Sequence, residues 1–442
     1  MADEEQLDVV VVGAGPAGTA AALTAARGGL QVALVERGAR PGAKNVMGGI
    51  LYSHSLEQVV GESWKDEAPL ERPIIEEQRW LLTSDAAIRV LGYKNLRSRQ
   101  NPHSYSVLRA RFDPWFAAQA EQAGAFLLSE TVVEELLIEA GRVVGVKTGR
   151  EGDLRAKVVV IAEGVGLGSR LLEKAGFRRP LKSNQVAVAF KEVIALDPGT
   201  IEDRFNCEPG EGSTIECYGE GTRGLSGFMF IYTNRDTVSV GGGVLLSELA
   251  DTRLSRSELA QRSPNALLNH FKNHSAIRPL LAGGETVEYS AKMIPEGGAR
   301  AIPKLYGDGL LVCGDAAMMS NPVHREGSNL AMESGRLAGE AALSAQVSGG
   351  FGAGQLGEYE VRLKRSWVLS DMKKYDRAVT LLEHNPRLLG RYPQLLDGAL
   401  DEFFRVDGVS KAEKQRRVLR LLRSGGGWRM IRDLLKAVWT LK

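Results

Sequence analysis

Residues 8–36 read DVVVVGAGPAGTAAALTAARGGLQVALVE, and the reading of this stretch decides the fold. DVVVV (8–12) is short, β-branched and continuous, the pattern of a strand buried on both faces. Gly13-Ala14-Gly15-Pro16-Ala17-Gly18 follows, then an alanine-rich helix over 19–27, a Gly28-Gly29 stop, and a second strand, QVALVE, ending at Glu36. In a Gly-x-Gly-x-x-Gly turn the glycines permit a tight bend, a close approach of backbone to a pyrophosphate, and close helix–strand packing. The helix N-terminus adds partial positive charge. Glu36 closes the second strand 18 residues after Gly18, where a carboxylate accepts from a ribose hydroxyl. A merely glycine-rich turn would not account for that acid, so the unit reads as a dinucleotide site. Val9 to Ala26 is also 18 residues without a charge, the lower edge of a membrane span, but the glycines and Pro16 interrupt it at the dinucleotide spacing.

The rest of the chain is consistent with an α/β protein of several parts. Its 442 residues are enough for about three domains. Glycine is enriched, 51 residues or ~12% against an average near ~7%, without a collagen-like period. The net charge of +2 argues against a nucleic-acid footprint over the whole surface. Cys207, Cys217 and Cys313 contain no CxxC pair, which excludes a four-cysteine metal or iron–sulfur site held by this chain alone. The start, MADEEQLD, is acidic and unlike the basic head of a signal peptide, so a cytoplasmic location is expected.

Residues 88–108 read as sheet, 112–123 as a helix ending at Gly124, 131–148 as a hairpin turning at Ala140-Gly141, and 157–162 as a buried strand. Strand-like runs dominate 184–245, 309–313 is again buried strand, and a helix runs from about Ser328 to Ser344. The organisation expected is a discontinuous Rossmann-like domain over 1–183 and 286–348, with 62–108 contributing to a sheet-rich domain at 184–285, and a helical region at 349–442. The tail is basic: 411–442 holds ten Lys/Arg against two Asp/Glu. Trp428, Ile431, Leu434, Leu435, Val438 and Trp439 share one helical face there, with Arg429, Arg432 and Lys436 off it. Such a helix suits an anionic bilayer surface, or equally packs on the core or on a partner subunit.

LLVCGDAAMMSNPVHREGSNLAMESG (310–335) resembles the second flavin motif of FAD oxidoreductases of the glutathione-reductase-like, hydroxybenzoate-hydroxylase-like group. The resemblance implies FAD as the cofactor, with Gly314 and Asp315 at the ribityl chain and Gly327, Ser328 and Asn329 opening a helix toward the flavin ring. VVVIAEGVGLGSR (158–170) stands at that group's third motif, with Glu163, before Gly164, where the group carries aspartate. GVGLG is not read as a second, nicotinamide-binding fingerprint, since no second strand with a terminal acid follows at the right distance. Of Arg109 and Arg111, ahead of the 112–123 helix, the spacing from Gly124 favours Arg109 as the arginine that contacts FAD in this group.

A narrower resemblance rests on GAKNVMGGILYSHSLEQVV (42–60), APLERPI (68–74), EYSAKMIPEGGARAIPKLYGDGLLVCGDAA (288–317) and HREGSNLAM (324–332). These runs are similar to the electron transfer flavoprotein–quinone oxidoreductase family, closest to its FixC branch, the flavoprotein subunits of electron-bifurcating complexes. The resemblance covers about residues 5–345. It implies an FAD relay of electrons from electron transfer flavoprotein α/β subunits toward a separate small ferredoxin-like Fe–S subunit and quinone. It also implies Arg37 and Val133 beside the dinucleotide, and Lys44, Asn45, Gly48 and Gly49 along the isoalloxazine. His54, His103, His270, His274, His324 and His384 form no ligand cluster by spacing, and no metal site and no catalytic acid or base is read from the chain. His324 and Arg325 lie in the loop aimed at the flavin, where loop-stabilising and electrostatic roles both remain open, and Cys313 reads as a small buried hydrophobe. The alternatives are a geranylgeranyl-reductase-like enzyme, a flavin monooxygenase and a non-enzymatic FAD-bearing scaffold.

Overall fold

The computed structural model describes residues 6–44, 48–166, 168–321, 323, 326–377, 381, 384–424 and 426–441. Contacts gather the chain into two units, one of residues 1–71, 103–186 and 292–376, the other of 72–102, 187–291 and 377–442. The helical C-terminal region divides between them after residue 376.

In the first unit Leu7–Val12 is the hub of a parallel sheet, pairing Val32–Val35 on one side and Asp153–Ile161 on the other. Phe126–Leu128 extends it beyond Val32–Val35, and Leu310–Val312 beyond Asp153–Ile161. All four pairings are parallel, and the central valines are almost wholly buried, as continuous β-branched runs require. The hairpin forms as read: Val133–Glu139 and Arg142–Thr148 pair antiparallel, and Ala140 and Gly141 both take positive φ, the geometry of a two-residue turn matched to strand twist. One boundary differs from the sequence reading. The helix expected at 112–123 spans Arg109–Gln122, because Arg109 and Asp113 pair across its first turn and carry the helix upstream of Pro114.

Helix Pro16–Arg27 packs on helix Ser328–Val347 through glycine. A Cβ on Gly335 would lie 2.0 Å from the Ala17 carbonyl oxygen, and one on Gly339 would lie 2.8 Å from that of Ala21. This contact brings the first glycine motif against the second flavin-like motif.

The second unit is built on a seven-stranded sheet ordered Glu285–Pro295, Val186–Ala195, Thr237–Leu245, Gly227–Thr233, Gly212–Gly219, Ile74–Leu82, Ala87–Lys94. Ile215, Cys217, Met229, Ile231, Val238 and Val240 alternate into a core closed by Leu267, Leu268 and Phe271 of helix Pro264–Asn273. Arg72 is buried in this unit, giving hydrogen bonds to Glu202 and to the carbonyls of Glu211, Asn234 and Arg235.

The last helix, Gly427–Leu441, is mounted by a polar contact. Asp433 is 3% exposed and accepts from the Tyr392 hydroxyl at 2.6 Å, while Trp428 and Trp439 are 86% and 82% exposed. Ile431, Leu434, Leu435 and Val438 are exposed with them. Among the described residues, no helix is long and apolar enough to cross a membrane.

The glycine contact yields a prediction. Gly335→Ala raises helix propensity by ~1 kcal/mol, yet its methyl must displace backbone, and overpacking of this kind costs ~1–3 kcal/mol. Thermal denaturation should show a lowered midpoint, whereas Gly354→Ala, where a Cβ meets nothing within 4 Å, should hold or raise it.

Candidate functional site

The first strand ends at Val12, and the Gly13 N–H donates to the Val35 carbonyl at 2.7 Å. Gly13 adopts φ +104° with the Ala162 carbonyl oxygen 2.5 Å from where a Cβ would stand, so only glycine fits. A Cβ on Gly18 would stand 1.9 Å from the Gly13 carbonyl oxygen. Gly15 differs: a Cβ there would point into open space, its nearest neighbour the Arg109 Nη2 at 3.9 Å. Pro16 opens the helix with no side-chain cap at Gly15, so the loop presents its unpaired N–H groups to that space together with the positive helix end. Ala14 and Ala17 are buried beside the loop. The second strand, expected to end at Glu36, spans Val32–Val35, and Glu36 is the next residue. Its Oε2 accepts from the Ala14 N–H at 3.1 Å and its Oε1 from the Gly38 N–H at 2.7 Å, tying the two loops together.

Arg109 is the arginine at this loop. It is buried and holds Asp113 through two guanidinium N–H groups, whereas Arg111 points away and pairs with Glu71. Gly314 adopts φ +62°, where a Cβ would crowd the Ala17 Cβ at 2.6 Å, and its N–H donates to Ser334 Oγ at 3.0 Å. Asp315 comes next, in the turn Gly314–Ala317. Burial pushes its carboxyl above the usual range, while Lys292 and Arg109 pull it back. Lys292 is the residue sequence reasoning missed. Burial pushes its ammonium below the ordinary lysine value and the Asp315 charge opposes that, and its Nζ stands 3.6 Å from where a Gly164 side chain would begin. The only signal was its position as the one cation in SAKMIPEGG.

Glu163 does not extend as an aspartate substitute would. Its carboxylate folds back over Gly166, where a Cβ would collide with Oε1 at 2.5 Å, and Oε2 takes the Ser169 hydroxyl. Burial raises its carboxyl, with Ser169, Arg178 and Arg37 opposing. GVGLG leads into a one-turn helix, Leu171–Lys174, and not into a second βαβ unit.

The remaining residues fall at several places around this loop. Val133 is buried at the start of the hairpin, and the Thr131 N–H two residues earlier donates to the Glu36 carbonyl at 2.9 Å. Gly48 and Gly49 pair with Leu108 and Val107, next to Arg109. Gly327 precedes helix Ser328–Val347, where Asn329 donates to Glu326. Among the described residues, Asn329 Oδ1 and Glu163 Oε1 are buried acceptors without a donor. Arg37 and Lys44 are exposed. Asn45, Pro322, His324 and Arg325 lie outside the described residues.

Residues 8–181 match the FAD dependent oxidoreductase family, and residues 378–441 the ETF-QO/FixC family C-terminal domain. A protein named FixC from Azorhizobium caulinodans is 44% identical over 429 residues, 96% of each chain. One from Escherichia coli strain K12 is 40% identical over 441 residues, covering 99% of this chain and 100% of its own. A geranylgeranyl bacteriochlorophyll reductase-like structure from Thermoplasma acidophilum shares the fold at TM-score 0.69 and 22% identity, covering 95% of this chain and 96% of its own. The myxobacterial halogenase CndH does so at TM-score 0.62 and 20% identity, covering 95% and 90%. With a FixC-like relative at this identity over nearly its whole length, the chain belongs to the electron transfer flavoprotein–quinone oxidoreductase/FixC family and is an FAD-dependent oxidoreductase.

Proposed function

We propose that this chain relays electrons through FAD, from an electron transfer flavoprotein toward a small ferredoxin-like subunit and membrane quinone. The observation that carries the reading is the near-full-length likeness to FixC proteins in a chain with only three cysteines. An iron–sulfur cluster on four thiolates then has to reside on another subunit. Among the described residues, burial holds Cys207 up to about 11 and Cys313 up to about 12, far from thiolate character at neutral pH.

The residues present fit FAD. The open space beside Gly15, the free N–H groups of the loop and the Arg109 guanidinium suit a pyrophosphate. Glu36 takes ribose hydroxyls, Val133 lies on the adenine side, and Asp315 takes the ribityl chain. Asn329 and Glu163 each offer one acceptor, and Gly48, Gly49 and Lys44 border the ring. Bound FAD supplies the two-electron chemistry, and the side chains bind it, orient it and set the charge around it.

The tail is the attachment element in this reading. A helix that buries its aspartate and displays two tryptophans among cations suits the anionic cytoplasmic face of a membrane.

Three outcomes are expected. The purified protein carries one non-covalent FAD. Gly15→Val and Asp315→Ala each lower the flavin-to-protein ratio by absorbance with the fold intact by circular dichroism, and full retention in both would overturn the site assignment. Mixed with NADH or NADPH alone in stopped flow, the flavin bleaches slowly, because no second dinucleotide unit is built among the described residues; rapid, saturable bleaching would argue against the relay. A chain ending at Gly426 keeps its FAD but loses binding to phosphatidylglycerol vesicles, and the binding of the full chain weakens with salt as charges are screened beyond about 8 Å. If vesicle binding persists after the cut while a subunit is released, the helix is a docking face for protein.

A further inference from the structure

Lys292 meets the loops of this site from a strand that no motif addresses. It lies in strand Glu285–Pro295 and is the first residue of segment 292–376, with which the chain returns to the first unit. Gly164 adopts φ +77°, and a Cβ there would stand 3.6 Å from Lys292 Nζ and 3.7 Å from its Cε. The end of the lysine side chain therefore rests on the Gly164 backbone. One residue earlier, the Glu163 Cα is 3.2 Å from where a Cβ on Gly13 would stand, and the Ala162 N–H donates to the Val12 carbonyl at 2.9 Å. The loop under Lys292 is thus pressed against the first glycine loop, whose Gly15 lies beside Arg109 Nη2.

Two cations therefore border one pair of adjoining loops, an ammonium at Gly164 and a guanidinium at Gly15. Arg109 gives two N–H groups to Asp113 on its own helix, a pairing that fixes its direction. Lys292 feels the opposite charge of Asp315, while the like charges of Arg109 and Arg37 act against it. Like charges gathered at half-buried positions are unfavourable by themselves, and an anion received between them relieves the repulsion. A diphosphate is the anion that a glycine loop at a helix N-terminus accepts. An ammonium on a flexible stem serves phosphate as a point charge without a fixed fork geometry, so it can approach from a strand remote in sequence from the loop.

We propose that Lys292 is the second cation of the diphosphate site, its ammonium taking phosphate oxygens of FAD at Gly164 as the Arg109 guanidinium does at Gly15. The proposal rests on FAD occupying the site. The role is one of binding: Lys292 donates hydrogen bonds to phosphate oxygens and passes on neither proton nor electron. Arg37 is exposed, so its attraction for phosphate is screened by solvent, whereas the half-buried Lys292 acts where screening is weaker. The phosphate charges in turn favour the ammonium form, offsetting what burial and the two arginines take from it.

The test compares the flavin-loaded protein with Lys292→Met, which keeps the stem and removes the charge, and Lys292→Arg, which keeps the charge. Dilution, followed by the recovery of free-flavin fluorescence, gives the dissociation constant for FAD. Lys292→Met should weaken FAD binding ~10- to 100-fold, the value of a hydrogen bond to a charged group, and Lys292→Arg should restore most of it. Phosphorus NMR of the bound FAD should show displaced diphosphate resonances in Lys292→Met, with the midpoint potential at its native value. A side chain that only packs the Gly164 loop would leave those resonances in place. Should Lys292→Met fail to fold by circular dichroism, Lys292→Gln takes its place in the same comparison. Native affinity in the uncharged variant overturns the proposal, as does weakened binding with unmoved phosphorus resonances. A shifted midpoint potential with native affinity puts the charge to work at the flavin ring and overturns it too. A native protein that holds no FAD fails the cofactor reading itself, and the proposal falls with it.

Discussion

Ala17 sits between two glycines from the far end of the sequence, and the site depends on neither having a side chain. Gly314 clears the Ala17 methyl and Gly335 clears its carbonyl oxygen. Because both gaps are closed to any larger residue, the helix that opens the dinucleotide loop and the turn that carries Asp315 are set against each other without slack. Gly13 and Gly18 enforce the same closeness within the loop itself. Of the three motif glycines, Gly15 is the one that faces open space among the described residues, and a phosphate would be received in that direction.

Charge follows from that closeness. Arg109 and Lys292 are brought deep into the unit to stand over Gly15 and Gly164, and each meets an acid there, Asp113 and Asp315. Ions drawn this far from water are tolerated when paired, and removing one partner is costly because the other is left uncompensated. Burial raises the Asp315 carboxyl, and the two cations oppose that rise.

Much of this was legible in residues close together in sequence. The βαβ unit, Glu36 at its end, the Ala140-Gly141 turn and the Gly314-Asp315 turn are local patterns, and each forms where it was read. Spacing favours Arg109 over Arg111, and of the two it is the Arg109 guanidinium that lies beside Gly15, while Arg111 pairs with Glu71. Lys292 was not legible, because what distinguishes it is its place beside Gly164 and Asp315, which arises only when distant segments meet. Glu163 was legible as a departure from aspartate but not in its consequence: the extra methylene lets the carboxylate turn back over Gly166.

The tail shows where pattern and placement part company. Its hydrophobic stripe alone predicted an amphipathic helix without saying which side faces inward, and burial of an apolar side chain is worth ~1.5–3 kcal/mol. That stake would ordinarily turn the tryptophans in. The Tyr392–Asp433 hydrogen bond instead ties the polar side to helix Arg391–Phe404, and an ionised acceptor makes such a bond roughly twice as strong as a neutral one. Asp433 is held below the usual carboxylate range by that bond, which favours its charged, accepting form. One bond does not offset six exposed apolar side chains in water. That exposure is the cost which the proposed covering of this face, by a bilayer or by a partner subunit, would remove.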